Sequence, residues 1–338
     1  MAREATVLLE YQDIIPGPPV PVQSLYGQAC ANDGVTVDSW SKTWVSNIKA
    51  NRVTTGGDFS TTGVGKLLGL HQNKACILAG SGPSLKVNGH LLKNRGGLPL
   101  ISCLHNFHFF EDLGIKPDFY VTLDAGAIVL DEISEGGKLT PEEYWARTEG
   151  VPLVAYIGSH PELAKKWRGP IHWYSAALPA GETRKLADEA AGFYTRMGSG
   201  GNVLGACLYL AKGFLGCQTV AFVGADFSFD YANKFHGWDS KYDANLGQCL
   251  KVTDIYGMKR KTWQSYHNFK AWFDFIACKV PGSYFNCTEG GTLGAYAEGN
   301  ISQFKYMDLS DFLGMCAMNE HLRAQCETPG VDQETMLF

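Results

Sequence analysis

Between residues 75 and 224 the chain alternates short apolar runs with longer stretches of mixed polarity. The runs at 75–79, Leu98 to Leu104, Phe119 to Leu123, Leu153 to Ile157, Ile171 to Tyr174 and Thr219 to Gly224 read as buried strands. Helical stretches fall between them, near 86–95, 107–113, 141–148, 161–167, 181–196 and 202–213. Strands alternating with helices predict a Rossmann-like α/β fold, with a mostly parallel sheet and helices on both faces.

The flanks follow other rules. In the first 70 residues, Pro16-Gly17-Pro18-Pro19-Val20-Pro21 excludes helix and reads as a loop or extended arm. Trp44, Asn47, Ile48 and Asn51 then lie on a helix, and Gly56 to Gly65 is a loop. Beyond residue 225 the chain turns irregular and polar-aromatic, from Asp226 through Tyr242. A helix around 262–279 follows, whose Trp263, Phe269, Trp272, Phe273 and Phe275 read as core rather than as a ligand platform. Ser283-Tyr284-Phe285 reads as a strand, Leu309 to Met315 as a last helix, and the tail from Thr328 as flexible.

Composition narrows the function classes. Of the 338 residues, 45% are hydrophobic and 19% charged, which suits a globular chain with ample core. The net charge of -5 gives no basic footprint for nucleic acid, and Lys259-Arg260-Lys261 reads as solvated surface. No apolar run reaches the roughly 18 residues of a membrane span, and the N-terminus lacks the apolar core of a signal peptide. The ten cysteines form no Cys-x-x-Cys pair, so free thiols in a reducing cytoplasm are expected. The sequons at Asn286 and Asn300 then carry no meaning.

Candidate chemistry gathers just after the strands, where open α/β sheets bind ligands. Ala79-Gly80-Ser81-Gly82-Pro83-Ser84-Leu85 follows the first strand and precedes a helix, a geometry that offers backbone N–H groups to a phosphate. No Gly-Lys-Ser/Thr follows, so it is not a P-loop, and the third glycine of the dinucleotide fingerprint is missing. On this reading Gly82→Val blocks a nucleotide without unfolding the protein. His105-Asn106-Phe107-His108 follows the second strand, Asp124-Ala125-Gly126 the third and Ala225-Asp226-Phe227-Ser228 the sixth. Gly198-Ser199-Gly200-Gly201-Asn202 opens a helix and reads either as an anion or ribose site or as an ordinary N-cap. His236, in the loop His236-Gly237-Trp238-Asp239, is a general-base candidate or a surface histidine, with His105 next in line. Asn286-Cys287-Thr288-Glu289-Gly290-Gly291 suggests either close backbone approach to a ligand or a plain tight turn.

In order along the chain, Gly-Ser-Gly-Pro-Ser-Leu, Gly114-Ile115-Lys116-Pro117-Asp118 with Thr122-Leu123-Asp124, Gly200-Gly201-Asn202-Val203, Phe222-Val223-Gly224-Ala225-Asp226 and Asn286 to Gly291 resemble one family. It joins archaeal 6-hydroxymethylpterin diphosphokinases with motility-associated flagellin glycosyltransferases. The first loop is also similar to that of bacterial CMP-sialic-acid-dependent sialyltransferases. The resemblance covers about residues 40–310 and implies a phosphate-bearing nucleotide, either ATP or a CMP-activated sugar. It implies that Gly80, Ser81, Gly82, Pro83 and Ser84 hold the phosphate side, with Asn106 near the nucleotide. Asp124 and Asp226 become polar site residues, through Mg²⁺, and His236 stands where the flagellin enzymes carry a histidine. The segment Gly224-Ala225-Asp226-Phe227 departs from the Gly-Gln-Asp-Leu of the flagellin group.

Three functions follow as expectations. The first is a glycosyltransferase using a CMP- or other nucleotide-activated sugar, with His236 and Asp226 catalytic and Gly200, Gly201 and Asn202 adding to the nucleotide site. The second is a diphosphokinase moving pyrophosphate from ATP to a hydroxymethyl, pterin-like acceptor. The third is a non-catalytic binding or assembly module, docking through the N-terminal arm. The acceptor is a small molecule, a glycan or a protein; no nucleic acid and no membrane span is expected, and the setting is cytoplasmic. The corresponding parts are 1–70 (arm and helical lead-in), 71–230 (nucleotide-binding core), 231–327 (the C-terminal part of the same domain, completing the site) and 328–338 (tail).

Overall fold

The computed structural model describes residues 21–56, 59–178, 181–191, 195–238, 249–295 and 303–327. Its strands, in chain order, are β1 Ala75–Ala79, β2 Leu100–Cys103, β3 Phe119–Thr122, β4 Leu153–Tyr156, β5 Ile171–Ala176, β6 Arg196–Met197, β7 Thr219–Val223, β8 Leu250–Thr253, β9 Lys259–Thr262, β10 Ser283–Asn286 and β11 Phe304–Tyr306. Nine of them form one sheet in the order β11-β10-β7-β1-β2-β3-β4-β5-β6, and every neighbouring pair is parallel. β2, β3 and β4 are buried at every position. That is why they are continuous apolar runs instead of alternating ones: a parallel sheet covered by helices has no wet face.

The helices are α1 Pro21–Thr54, α2 Leu85–Asn88, α3 Phe107–Leu113, α4 Ile128–Glu132, α5 Pro141–Ala146, α6 Pro161–Lys166, α7 Glu182–Ala191, α8 Val203–Tyr209, α9 Gln264–Lys279 and α10 Leu309–Glu327. α8 lies on β1, β2 and β3, and α1 packs against α6, α7 and α9. On α1 the buried positions Trp44, Asn47, Ile48 and Asn51 fall three or four residues apart, on one face. Asn47 Nδ2 donates to the carbonyls of Ala125 (3.1 Å) and Gly158 (3.0 Å), and Asn51 Nδ2 to those of Ile157 and Ser159 (both 2.9 Å). Two asparagines on a buried face are thus explained: they satisfy the loop carbonyls after β3 and β4, which no strand partner reaches.

Three expectations change. Pro21 opens α1 instead of belonging to a non-helical run, because the first helical position needs no N–H and proline's fixed φ suits it. Residues 16–20 of that run lie outside the described residues, as do Asp239, Tyr242, the sequon at Asn300 and the tail from Thr328. The last helix extends well past Met315, to Glu327. Arg260 is not simple solvated surface: β8 and β9 form an antiparallel hairpin in which its Nε meets the buried Asp254 carboxylate at 2.8 Å. Its guanidinium lies 3.4 Å from the Tyr231 ring centroid.

The sheet order has one functional consequence. From β1 the chain builds outward through β2 to β6, then returns to place β7 on the other side of β1 and continues to β10 and β11. The gap between the carboxyl ends of β1 and β7 is therefore the topological switch point, where open α/β sheets form their ligand crevice.

Candidate functional site

A cavity of about 200 Å³ opens at that switch point. Gly80, Ser81 and Gly82 line it from the β1 side, and Gly224 through Ser228 from the β7 side. Leu104, His105, Asp124, Glu132, Asn202 and His236 also face it.

The two loops are fastened to each other. The Gly80 N–H donates to the Val223 carbonyl (2.9 Å) and the Gly82 N–H to the Gly224 carbonyl (2.8 Å). A Cβ on Gly80 would run into the Gly224 carbonyl, and a Cβ on Gly224, at φ +60°, into that of Gly80. Asp226 completes the clasp: Ser84 donates to its carboxylate through the hydroxyl at 2.7 Å and through the backbone N–H at 3.3 Å. A Cβ on Gly82 would overlap that carboxylate. The glycines are therefore demanded by the protein's own packing. Gly82→Val, expected to spare the fold, must disturb it. The amides of Gly80, Gly82 and Ser84 are spent inside the protein. The Ser81 amide has no such partner among the described residues, and Ser81 lines the cavity.

Asn106, expected near the nucleotide, is fully buried beneath the loop. Its Nδ2 donates to the carbonyls of Ala79 and Gly80 and to the Ser102 hydroxyl. Pro83 and Ser84 also stand behind the loop, outside the cavity lining. Asn202 both faces the cavity and caps α8, its Oδ1 accepting from the Gly205 N–H at 2.9 Å. Gly200 and Gly201 do not reach this cavity. A Cβ on Gly200 would strike the Trp272 ring, so packing explains that glycine too.

The titratable groups cluster on one wall. His105, in the turn after β2, has Nε2 3.2 Å from Glu135 Oε2, and the Glu135 side chain is 4% exposed. His236 lies edge-on to His105, with ring centroids 4.6 Å apart, and stacks on Trp238 at 5.1 Å. Burial, then the charge of His105, holds His236 down to about 3 and His108 to about 4. Burial raises Asp124 and pushes both Glu132 and Asp226 up to about 7, while His105 opposes the shift at Asp124 and Glu132. The cavity lining carries three carboxylates and two imidazoles but, among the described residues, no lysine or arginine.

Sequence reasoning missed Glu132 and Glu135. They stand three apart in a segment without a strand, a spacing that usually marks a solvated turn. It also missed the strain at Phe227, which lines the cavity at φ +48°. Thr262 Oγ1, on β9, donates to the Phe227 carbonyl at 2.7 Å and so braces that turn.

Residues 42–232, more than half of the chain, match the family model described as MptE-like, 6-hydroxymethylpterin diphosphokinase MptE-like. The chain belongs to the MptE-like family. No curated protein matches it. A solved structure of the MAf glycosyltransferase from Magnetospirillum magneticum AMB-1 shares its fold, at 16% identity and a TM-score of 0.53. That match covers 79% of this chain and 42% of the glycosyltransferase chain. The MptE-like match ends at residue 232, within the stretch between β7 and His236. His236, the β8–β9 hairpin and α9 lie beyond it.

Asp124 and Asp226, the two residues expected to hold magnesium, both line the cavity. Among the described residues no group of three His, Cys, Asp or Glu side chains is placed to hold an ion, and the Asp226 oxygens already serve Ser84. Among the described residues, no helix is long and apolar enough to cross a membrane.

Proposed function

We propose that the chain is a nucleotide-dependent transferase working at the switch-point cavity, and that it moves a glycosyl group from a nucleotide-activated sugar. The observation that carries this reading is that His105, which lines the cavity bounded by the β1 and β7 loops, pairs with the buried Glu135. A base oriented by a buried carboxylate, beside a loop that can meet a phosphate, is the minimum machinery for group transfer to a hydroxyl.

The roles divide as follows. Glu135 accepts from His105 Nε2–H and so leaves Nδ1 as the basic nitrogen. Nδ1 takes the proton of the acceptor hydroxyl as its oxygen bonds to the anomeric carbon. The bond from that carbon to the phosphate oxygen breaks, and the electron pair leaves with the phosphate. Ser81 offers its amide and hydroxyl to that oxygen. Asp226 holds the two loops in register. We assign the base to His105 over His236, because among the described residues His236 has no carboxylate partner, and burial suppresses its proton affinity. Residues 71–230 and 231–327 act as one domain, since Phe227 and His236 come from opposite sides of that division, and we place the protein in the cytoplasm.

The second reading, pyrophosphate transfer from ATP to a hydroxymethyl acceptor, draws on the family description. It asks the site to hold a highly charged triphosphate, which phosphoryl-transfer sites do with Lys, Arg or metal clamps. A lining of carboxylates and imidazoles suits a donor with fewer charges. The test follows nucleotide release from CMP- and UDP-sugars and from ATP, each with and without Mg²⁺. Release from a sugar donor should fall roughly 10²–10⁴-fold in His105→Asn while nucleotide affinity holds. Turnover of ATP alone would establish the second reading, and equal turnover in His105→Asn would remove the assigned base.

A further inference from the structure

The aromatic side chains of α9 divide into two sets. Trp272, Phe273 and Phe275, on its second half, are buried in the core, as the sequence pattern implies. Phe269, read with them as core, departs from that pattern. Phe269 and Tyr266 are half-buried and line the switch-point cavity. Standing three apart, they share one face of the helix. Phe235, also half-buried, lines the same cavity. None of these three rings belongs to the hydrophobic core. Their apolar faces therefore meet water in the empty cavity, and a flat ligand that displaced that water would be favoured.

Tyr266 adds a polar handle to this wall. Its hydroxyl has no hydrogen-bond partner among the described residues. Unlike the sealed hydroxyls of Tyr120 and Tyr156, it keeps accessible surface. Burial pushes its pKa up to about 12, so it remains a donor at neutral pH. Mostly apolar walls with a few placed polar groups are the usual make-up of a small-molecule site.

The rings form a row that leads away from the assigned base. Centroid to centroid, His236 lies 4.6 Å from His105 and Phe235 4.2 Å from His236. Trp263 follows at 5.1 Å, Tyr266 at 5.0 Å and Phe269 at 6.4 Å, each from the ring before it. In the transfer proposed above, the migrating sugar meets His105 and the phosphate meets Ser81. The α9 end of the row is left for the rest of the donor, its base.

We propose that Tyr266 and Phe269 form a seat for a planar nitrogen heterocycle, which lies against Phe269 while the Tyr266 hydroxyl hydrogen-bonds its edge. Both residues lie beyond residue 232, where the family match ends. The proposal rests on the nucleotide reading for the identity of the heterocycle, which is then the donor's nucleobase. A pterin acceptor would present the same flat, hydrogen-bonding chemistry.

Saturation-transfer NMR titrations of the full chain test the seat with cytidine, uridine, adenosine, their 5′-monophosphates, 6-hydroxymethylpterin and ribose 5-phosphate. At least one heterocycle should bind wild type, a nucleoside pointing to the donor's base and the pterin to the acceptor. Its affinity should fall roughly 5- to 150-fold in Phe269→Ala, the range measured for loss of one stacked base. Phe269→Leu keeps apolar bulk without a flat face and should also weaken binding. Tyr266→Phe keeps the ring and should lose roughly 2- to 10-fold. Ribose 5-phosphate, which has no flat ring, should bind all four proteins alike. No heterocycle binding, unchanged affinity in Phe269→Leu or in Tyr266→Phe, or an equal fall for ribose 5-phosphate would each overturn the proposal. Cytidine binding as tightly as CMP, with the dependence on Phe269 intact, would keep the seat and defeat the phosphate side of the nucleotide reading. CMP affinity indifferent to Phe269 and Tyr266 would keep that reading and defeat the seat.

Discussion

Replacing Asp226 by asparagine should make the protein gain stability, relative to wild type, as the pH increases. The carboxyl is 6% exposed, and burial pushes its pKa from 3.8 up to about 7 against the opposing Ser84 hydrogen bonds. At about 1.4 kcal/mol per pKa unit, ionised Asp226 costs the folded state about 4 kcal/mol at the alkaline limit. Because the folded pKa lies above the unfolded one, the folded protein holds the extra proton between the two values. The group's full contribution is present below about pH 4 and is lost as the pH rises through about 7. Between about pH 5 and about pH 8 this single carboxyl removes about 2–3 kcal/mol. Asparagine keeps an acceptor for Ser84 and does not ionise. Urea unfolding of both proteins at the two pH values should show the difference, variant minus wild type, growing by that amount. His108, His236 and Glu132 titrate in both proteins, so their contributions cancel in the difference. A difference that stays constant with pH, whatever its sign, would refute the burial argument for Asp226.

Two further outcomes concern the frame of the site. Gly82→Ala should destabilise the protein by roughly 1–3 kcal/mol with no nucleotide present, since its Cβ would overlap Asp226 and lie 2.7 Å from the Gly224 carbonyl; a wild-type melting curve would show that the loops are not clasped. Asn51→Ala should cost roughly 2–3 kcal/mol, because it strands the buried carbonyls of Ile157 and Ser159, and chemical denaturation reads the loss directly.

The sheet was legible because a parallel strand buried on both faces is largely apolar, and the runs at β1 to β4 and β7 have that character, while β5 shows it only in part, with His172 half-buried. Short or amphipathic elements were not. β6 has two residues, and the β8–β9 hairpin alternates partly buried with exposed positions, so neither leaves an apolar run. The strand-end rule pointed to the loops after β1, β2, β3 and β7, and the structure gathers those loops round one cavity. What the sequence could not reveal was the purpose of each residue. A glycine in the chain shows that a Cβ is unwelcome, not whether a ligand or the protein fills the space. At Gly80, Gly82 and Gly200 the protein fills it. Asn106 and Asp226 have polar side chains whose partners are backbone and serine, a distinction made only by the tertiary fold. Glu135 becomes notable only when His105, thirty residues away in sequence, comes within 3.2 Å.

The central claim is that the switch-point cavity binds a phosphate-bearing nucleotide through the Ser81 side of the loop. Calorimetric titration of CMP, CDP, UDP, ADP and ATP into wild type and Ser81→Trp, each with and without Mg²⁺, tests it most directly. An indole in place of the hydroxymethyl group would occupy a large share of the cavity of about 200 Å³. At least one nucleotide should bind wild type, and its affinity should fall by at least tenfold in a Ser81→Trp protein that still melts cooperatively. No binding by any nucleotide, or equal affinity in the two proteins, would contradict the account.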